Sequence, residues 1–334
     1  MNNPDGIIFS VNNTELTEVE KKFFKRTKPF GFVLFKRNFK NYLQIKNLIL
    51  ELKDSTINKS PLIFIDQEGG KVQRLRGNNF TDFPPQKIFG DLYEVNENKA
   101  LTLSYLTSYL IGNELKEIGI DVNFSPVCDL VFDNAHKIIG NRSFGKNPET
   151  ANKLVSQYCK GLTDSGVFPV LKHYPGHGRS KKDTHNDVSC IRTDLKTLKE
   201  TDLIPFLCLK EETFVMLAHI TYTGIDLEIA TYSKKINKLL RDYNGFQGLI
   251  ITDDISMKGL TDNLETIVKR SYDAGCDIIL HCNGKIDEMK RIYPLSKPIS
   301  QKYLNFFQKK FKRMNPKLMQ IENIRRELKN EGII

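Results

Sequence analysis

The sequence predicts an α/β protein built as a single (β/α)8 barrel, closed by C-terminal helices and spanning residues 1–334 as one domain. Three observations predict it: short, near-continuously apolar runs recur along the chain, segments of helical length separate them, and polar residues gather where the runs end. Continuous apolarity marks strands covered on both faces, as in parallel sheets. The runs are GIIFS (6–10), GFVLF (31–35), PLIFID (61–66) and VNFSPV (122–127), followed by VFPVLKH (167–173), FVMLAHI (214–220), GLIITDD (248–254) and CDIILHC (276–282).

Three intervening helices are clearest, at 101–118, 151–165 and 264–274, each followed by a glycine (Gly119, Gly166, Gly275) suited to a left-handed C-cap. Asp262 and Glu265 resemble a capping box at the start of the third. An open doubly wound sheet would more often show a G-x-G-x-x-G turn after an early strand, and this chain has none. No proline- or glycine-rich linker marks a domain boundary. The basic stretch 301–331, with Phe306, Phe307 and Phe311 at helical spacing, is expected to close the barrel as helix.

Composition narrows the function. Forty per cent hydrophobic residues with interspersed charge fit a folded globular chain, and no apolar run approaches membrane-spanning length. The N-terminus lacks a secretory pattern, so a cytoplasmic location is expected. Six widely spaced cysteines form no C-x-x-C pair, which fits reduced thiols rather than a disulfide framework. The net charge of +10, with clusters at 21–28 and 309–317, would suit an anionic partner, but no nucleic-acid module accompanies it. The expected partner is therefore a small molecule, with neither nucleic acid nor membrane, and the chain is expected to act as a monomer.

In a (β/α)8 barrel the active site lies at the C-terminal ends of the strands. Here those ends supply Asp66, Gln67 and Glu68, then Asp129, Lys172 with His173, His219, and Asp253 with Asp254. The loop KHYPGHGRSKKDTH (172–185) is the densest of them, holding three of the six histidines in the chain. Asp253, closing the run GLII, is placed to be an ionised nucleophile, with Lys172, Arg74 and Arg142 available to hold its charge. Asp254 reads better as a helix N-cap. Asp183, two residues before His185, can orient that imidazole as a proton donor. His173, His177, Asp183 and His185 are also possible zinc ligands, but their spacing is not H-E-x-x-H and Lys172 opposes a cation, so no metal is expected.

These motifs, IDQEGGKVQRL (65–75), DVNFSPVCDL (121–130), NRSFG (141–145), KHYPGHG with DTH (172–185), MLAHITY (216–222) and ITDDISM (251–257), resemble the bacterial β-N-acetylglucosaminidases of glycoside hydrolase family 3. The resemblance implies a TIM barrel, Asp253 as nucleophile, His185 as acid/base assisted by Asp183, and sugar binding by Asp66, Arg74, Arg142, Lys172 and His173. It implies retaining hydrolysis without a cofactor, on N-acetylglucosaminyl-1,6-anhydromuramic acid and its peptide-bearing forms from the cell wall. Lys71, where the family often has arginine, and the GRSKK linker, which replaces a commoner acidic version, depart from the pattern. A phosphorylase of the same linkage and a catalytically silent sugar-binding barrel are the alternatives.

Overall fold

The computed structural model describes residues 3–57, 60–77, 79–184 and 188–334. Eight parallel strands close into a barrel. They are β1 (Asp5–Ser10), β2 (Pro29–Leu34), β3 (Leu62–Ile65), β4 (Val122–Asn123), β5 (Phe168–Tyr174), β6 (Phe214–Leu217), β7 (Leu249–Asp254) and β8 (Ile278–Leu280). Each of the eight expected runs supplies one strand, in chain order around the barrel. Closure is made where Ile7 pairs with Ile279, joining β1 to β8.

Side chains alternate across each strand. The buried apolar residues accordingly divide in two. Ile8, Phe64, Phe124, Val170, Met216 and Ile251 fill the barrel interior, while neighbours such as Ile7, Ile63, Leu171, Val215 and Ile250 face the surrounding helices.

The helices begin and end close to where the sequence places them. They run Glu97–Glu117, Pro148–Ser165 and Leu264–Ala274, and Gly166 and Gly275 cap the latter two in the left-handed conformation. The cap of the last helix differs from expectation: Asn263 accepts from the Thr266 backbone N–H. Asp262 instead accepts from Arg270 at 2.6 Å. The fourth strand is also shorter than its apolar run, because Pro126 has no N–H to continue the ladder. Single bonds from Val170 to Ser125 and from Cys128 to Lys172 carry the pairing past that point.

The C-terminal stretch forms two helices, Gln301–Arg313 and Ile321–Asn330, rather than one. Pro316 between them cannot serve a helix interior. The first helix plugs the N-terminal end of the barrel. Phe307 inserts among Phe30, Phe168 and Phe214, with ring centroids 5.6, 5.7 and 5.8 Å away. This leaves the opposite, C-terminal mouth as the open end.

The basic clusters are partly neutralised by Lys21 with Glu18 and Glu51, Lys310 with Glu211, and Lys317 with Asp164. All six cysteines are free. Among the described residues no helix is long and apolar enough to cross a membrane.

Phe307→Ala would remove the plug's central ring and is expected to cost about 3 kcal/mol, read as a lower urea midpoint at unchanged m-value. Phe311→Ala, at a ring that is 49% exposed, should cost well under half as much.

Candidate active site

Strand alternation selects which polar groups face the mouth. Leu62 and Phe64 point inward and Asp66 follows in phase; Phe168 and Val170 are followed by Lys172, Leu249 and Ile251 by Asp253, and Ile278 and Leu280 by Cys282. All four selected residues line one cavity of about 460 Å³, walled also by Phe35 and Met257.

At its floor lies a buried ion network. Lys172 Nζ, 2.9 Å from Asp66 Oδ1 and 2.7 Å from Glu68 Oε1, bridges the two carboxylates. Arg74 Nη2 reaches Asp66 Oδ2 at 3.0 Å, and Arg142 grips Glu68 through two bonds of 2.8 and 2.9 Å. Burial alone would raise the Asp66 carboxyl, but Lys172 and Arg74 hold it well below the usual range. Burial likewise works against Glu68, and Arg142 and Lys172 reverse it. Lys172 stays a firm cation despite its burial because Asp66 and Glu68 flank it. The three cations expected beside Asp253 are thus engaged by Asp66 and Glu68. Glu68, 2% exposed, is placed at the mouth by the sequence but given no role there. Its signal in the sequence is its position two residues after Asp66.

A second buried array organises the loop after β5. Asp129 accepts His173 Nδ1–H at 2.6 Å and the backbone N–H groups of His173 and His177 at 3.1 and 2.6 Å. Burial opposes its ionisation, yet His173 and these donors bring the carboxyl down to about 2. With Nδ1 committed, the His173 ring lines the cavity in a fixed orientation. Burial, reinforced by His173, lowers His177 to about 4, so it is neutral near pH 7. Its Nε2 lies 3.1 Å from Thr184 Oγ1. Thr184 is held from the other side too, because its carbonyl accepts the Gly259 N–H at 2.9 Å. The loop after β7 therefore anchors the residue that precedes His185. Gly176 takes φ +133°, whereas Gly178 is required for space: a Cβ there would lie 1.7 Å from the Leu130 carbonyl oxygen.

Asp253 Oδ1 accepts the Asp254 N–H at 2.8 Å, which fixes the carboxylate plane. Its charge is near enough to favour protonation of both His177 and His219. Asp254 does not start a helix. It accepts from the Ser256 N–H and hydroxyl and from the Cys282 N–H, tying the end of β7 to β8. His219, kept neutral by burial, contacts the Asp254 carbonyl through Nε2 at 3.1 Å and Thr231 Oγ1 through Nδ1 at 2.6 Å. A carbonyl only accepts, so Nε2 carries the proton and Nδ1 takes the Thr231 hydroxyl.

Of the expected residues, Asp66, Arg74, Arg142, Lys172, His173 and Asp253 meet in the one cavity. Asp183 is half-buried, and its charge reaches Lys71, a further lining residue. His185 lies outside the described residues. Among the described residues no group of three or more His, Cys, Asp or Glu side chains is arranged to hold a metal. The geometry offers a rigidly held carboxylate facing a dense polar floor, in a space that fits a small polar ligand.

Comparison with known proteins agrees with that geometry. Residues 8–305 match the glycosyl hydrolase family 3 N terminal domain. The chain is 35% identical over 285 residues to a beta-hexosaminidase of Stenotrophomonas maltophilia, covering 84% of each chain. It is 36% identical over 283 residues to one from Neisseria meningitidis, covering 82% of this chain and 78% of the relative. The crystal structure of NagZ from Neisseria gonorrhoeae in complex with N-trifluoroacetyl-D-glucosamine superposes with a TM-score of 0.85 at 31% identity, over 99% of this chain and 95% of that one. Barrel, mouth and sequence together place this chain in glycosyl hydrolase family 3.

Proposed function

We propose that the chain is a retaining exo-β-N-acetylglucosaminidase of the peptidoglycan-recycling type. Its substrates are N-acetylglucosaminyl-1,6-anhydromuramic acid and the peptide-bearing forms, and it works as a cytoplasmic monomer. The observation that carries this reading is Asp253, inward-facing at the end of β7 and opposite the Lys172–Asp66 pair in the cavity. Free, widely spaced cysteines fit a reducing compartment.

In the first step an Asp253 oxygen attacks C1 of the sugar while His185 gives its proton to the departing glycosidic oxygen, and the C1–O bond breaks. The sugar is then esterified to Asp253. In the second step His185 takes a proton from water, the resulting hydroxide adds to C1, and the Asp253 ester breaks to restore the β configuration. Asp183 orients His185. Asp66, Arg74, Lys172 and His173 bind the sugar's polar groups, and Arg142 sets the floor on which they sit by fixing Glu68.

Asp253→Asn is expected to lower hydrolysis of 4-nitrophenyl β-N-acetylglucosaminide by at least about a thousandfold with unchanged thermal unfolding. Near-normal turnover would remove Asp253 as nucleophile. Proton NMR of the first-formed sugar in phosphate buffer should show free β-anomer; a sugar 1-phosphate would mean phosphorolysis. His185→Ala should slow an alkyl aglycone far more than the nitrophenyl one, since only the poorer leaving group requires the proton. Equal losses on both would refute that role.

The loop anchor makes stability depend on pH. His177 titrates near 4 when folded and near 6.5 when unfolded. Between those values the unfolded chain binds the extra proton, so this contribution is full above pH 6.5 and is lost as pH falls towards 4. It amounts to about 3 kcal/mol at most. Urea unfolding across this window should show the slope in the wild type and a shallower one in His177→Gln.

A further inference from the structure

A second groove opens beside the catalytic cavity, with a volume of about 780 Å³. One wall is the loop after β4, through Phe132 and Asp133. The other is the loop after β5, through Arg179 and Lys181, continuing into the extended segment Ser189–Asp194 that presents Arg192. The His136 N–H, bonded to the Ser180 carbonyl at 2.7 Å, ties the two walls together. The same loop after β4 reaches the catalytic cavity through Ile138 and Arg142. Groove and cavity therefore share the loop after β4 as a common wall.

The groove is electrostatically lopsided. Arg179 is satisfied by Asp202 at 2.8 Å and lies over the Phe132 ring at 4.0 Å, forming a rigid base. Asp133 is paired with Lys146. Lys181 and Arg192 are exposed and have no ion-pair partner among the described residues. Two uncompensated cations thus face one concave surface.

We propose that this groove binds an acidic peptide carried on the leaving group of the substrate, with Lys181 and Arg192 receiving its carboxylates. The inference rests on the glycosidase reading, because the groove's position gains its meaning from the proton donor. A general acid must contact the departing oxygen. Whatever is joined beyond that oxygen then lies along the loop that carries the donor, and Arg179 and Lys181 belong to that loop. A muramyl leaving group bears its peptide on the lactyl carboxyl, on this side of the scissile bond. Arginine matches a carboxylate with two parallel donors and lysine meets it as a point charge.

The test uses two synthetic substrates, the anhydro-disaccharide carrying L-alanyl-glutamate on the lactyl group and the same compound with both glutamate carboxyls amidated. At low salt the wild type should show kcat/KM about tenfold higher for the acidic form, as two exposed ion pairs supply. In Lys181→Ala/Arg192→Ala that ratio should fall to about one, and added salt should lower the wild-type ratio in the same way. A wild-type ratio near one, or a ratio that survives the double substitution, overturns the peptide site while leaving the glycosidase intact. Failure of the wild type to release N-acetylglucosamine from either compound overturns the glycosidase reading and the peptide site with it.

Discussion

The two-residue alternation of a strand, imposed on a closed ring of eight, is the constraint on which the rest of the molecule depends. Closure leaves each strand with one face inside and one face under helices, so a run such as LIITDD has no freedom to slip by one residue. A slip would place Asp253 beneath a helix and Ile250 in the ring. The apolar filling of the barrel therefore fixes the catalytic floor. Ile251 and Val170 hold their strands in the phase that brings Asp253 and Lys172 to the mouth. The Phe307 plug at the far end leaves only that mouth for a ligand.

On that frame the site separates its charges by task. Lys172, Arg74 and Arg142 are consumed by Asp66 and Glu68, in a network whose members are mutually compensated. Removal of one partner from such a network leaves an uncompensated buried charge, commonly worth 3–5 kcal/mol. This gives the floor rigidity and a defined pattern of donors and acceptors. Asp253 belongs to a different environment, oriented by the Asp254 N–H and flanked by imidazoles that burial keeps neutral.

The loop after β5 is attached at more points than its glycines and charges suggest. Asp129 holds its first turn, His177 and the Gly259 N–H hold Thr184, and His136 holds Ser180. Thr184 sits between Asp183 and His185, so the anchor lies inside the segment that bears the proposed proton donor. The loop after β7, whose strand bears Asp253, thereby also fixes the loop after β5 at Thr184.

The sequence by itself determined the barrel, because eight apolar runs and the glycines closing the helices are local signals, each readable within about ten residues. It also singled out Asp66, Lys172, His173 and Asp253, since polar residues at the ends of buried strands stand out against their neighbours. Only the tertiary structure decided how those charges are partnered. Glu68 takes Lys172 and Arg142 from 104 and 74 positions away along the chain, across strands whose spacing no local pattern records. The cap at Asn263 rather than Asp262 and the turn made by Asp254 were settled in the same way. In each case packing chose among locally equivalent groups, and burial raised the cost of every choice that left a charge or a donor unpaired.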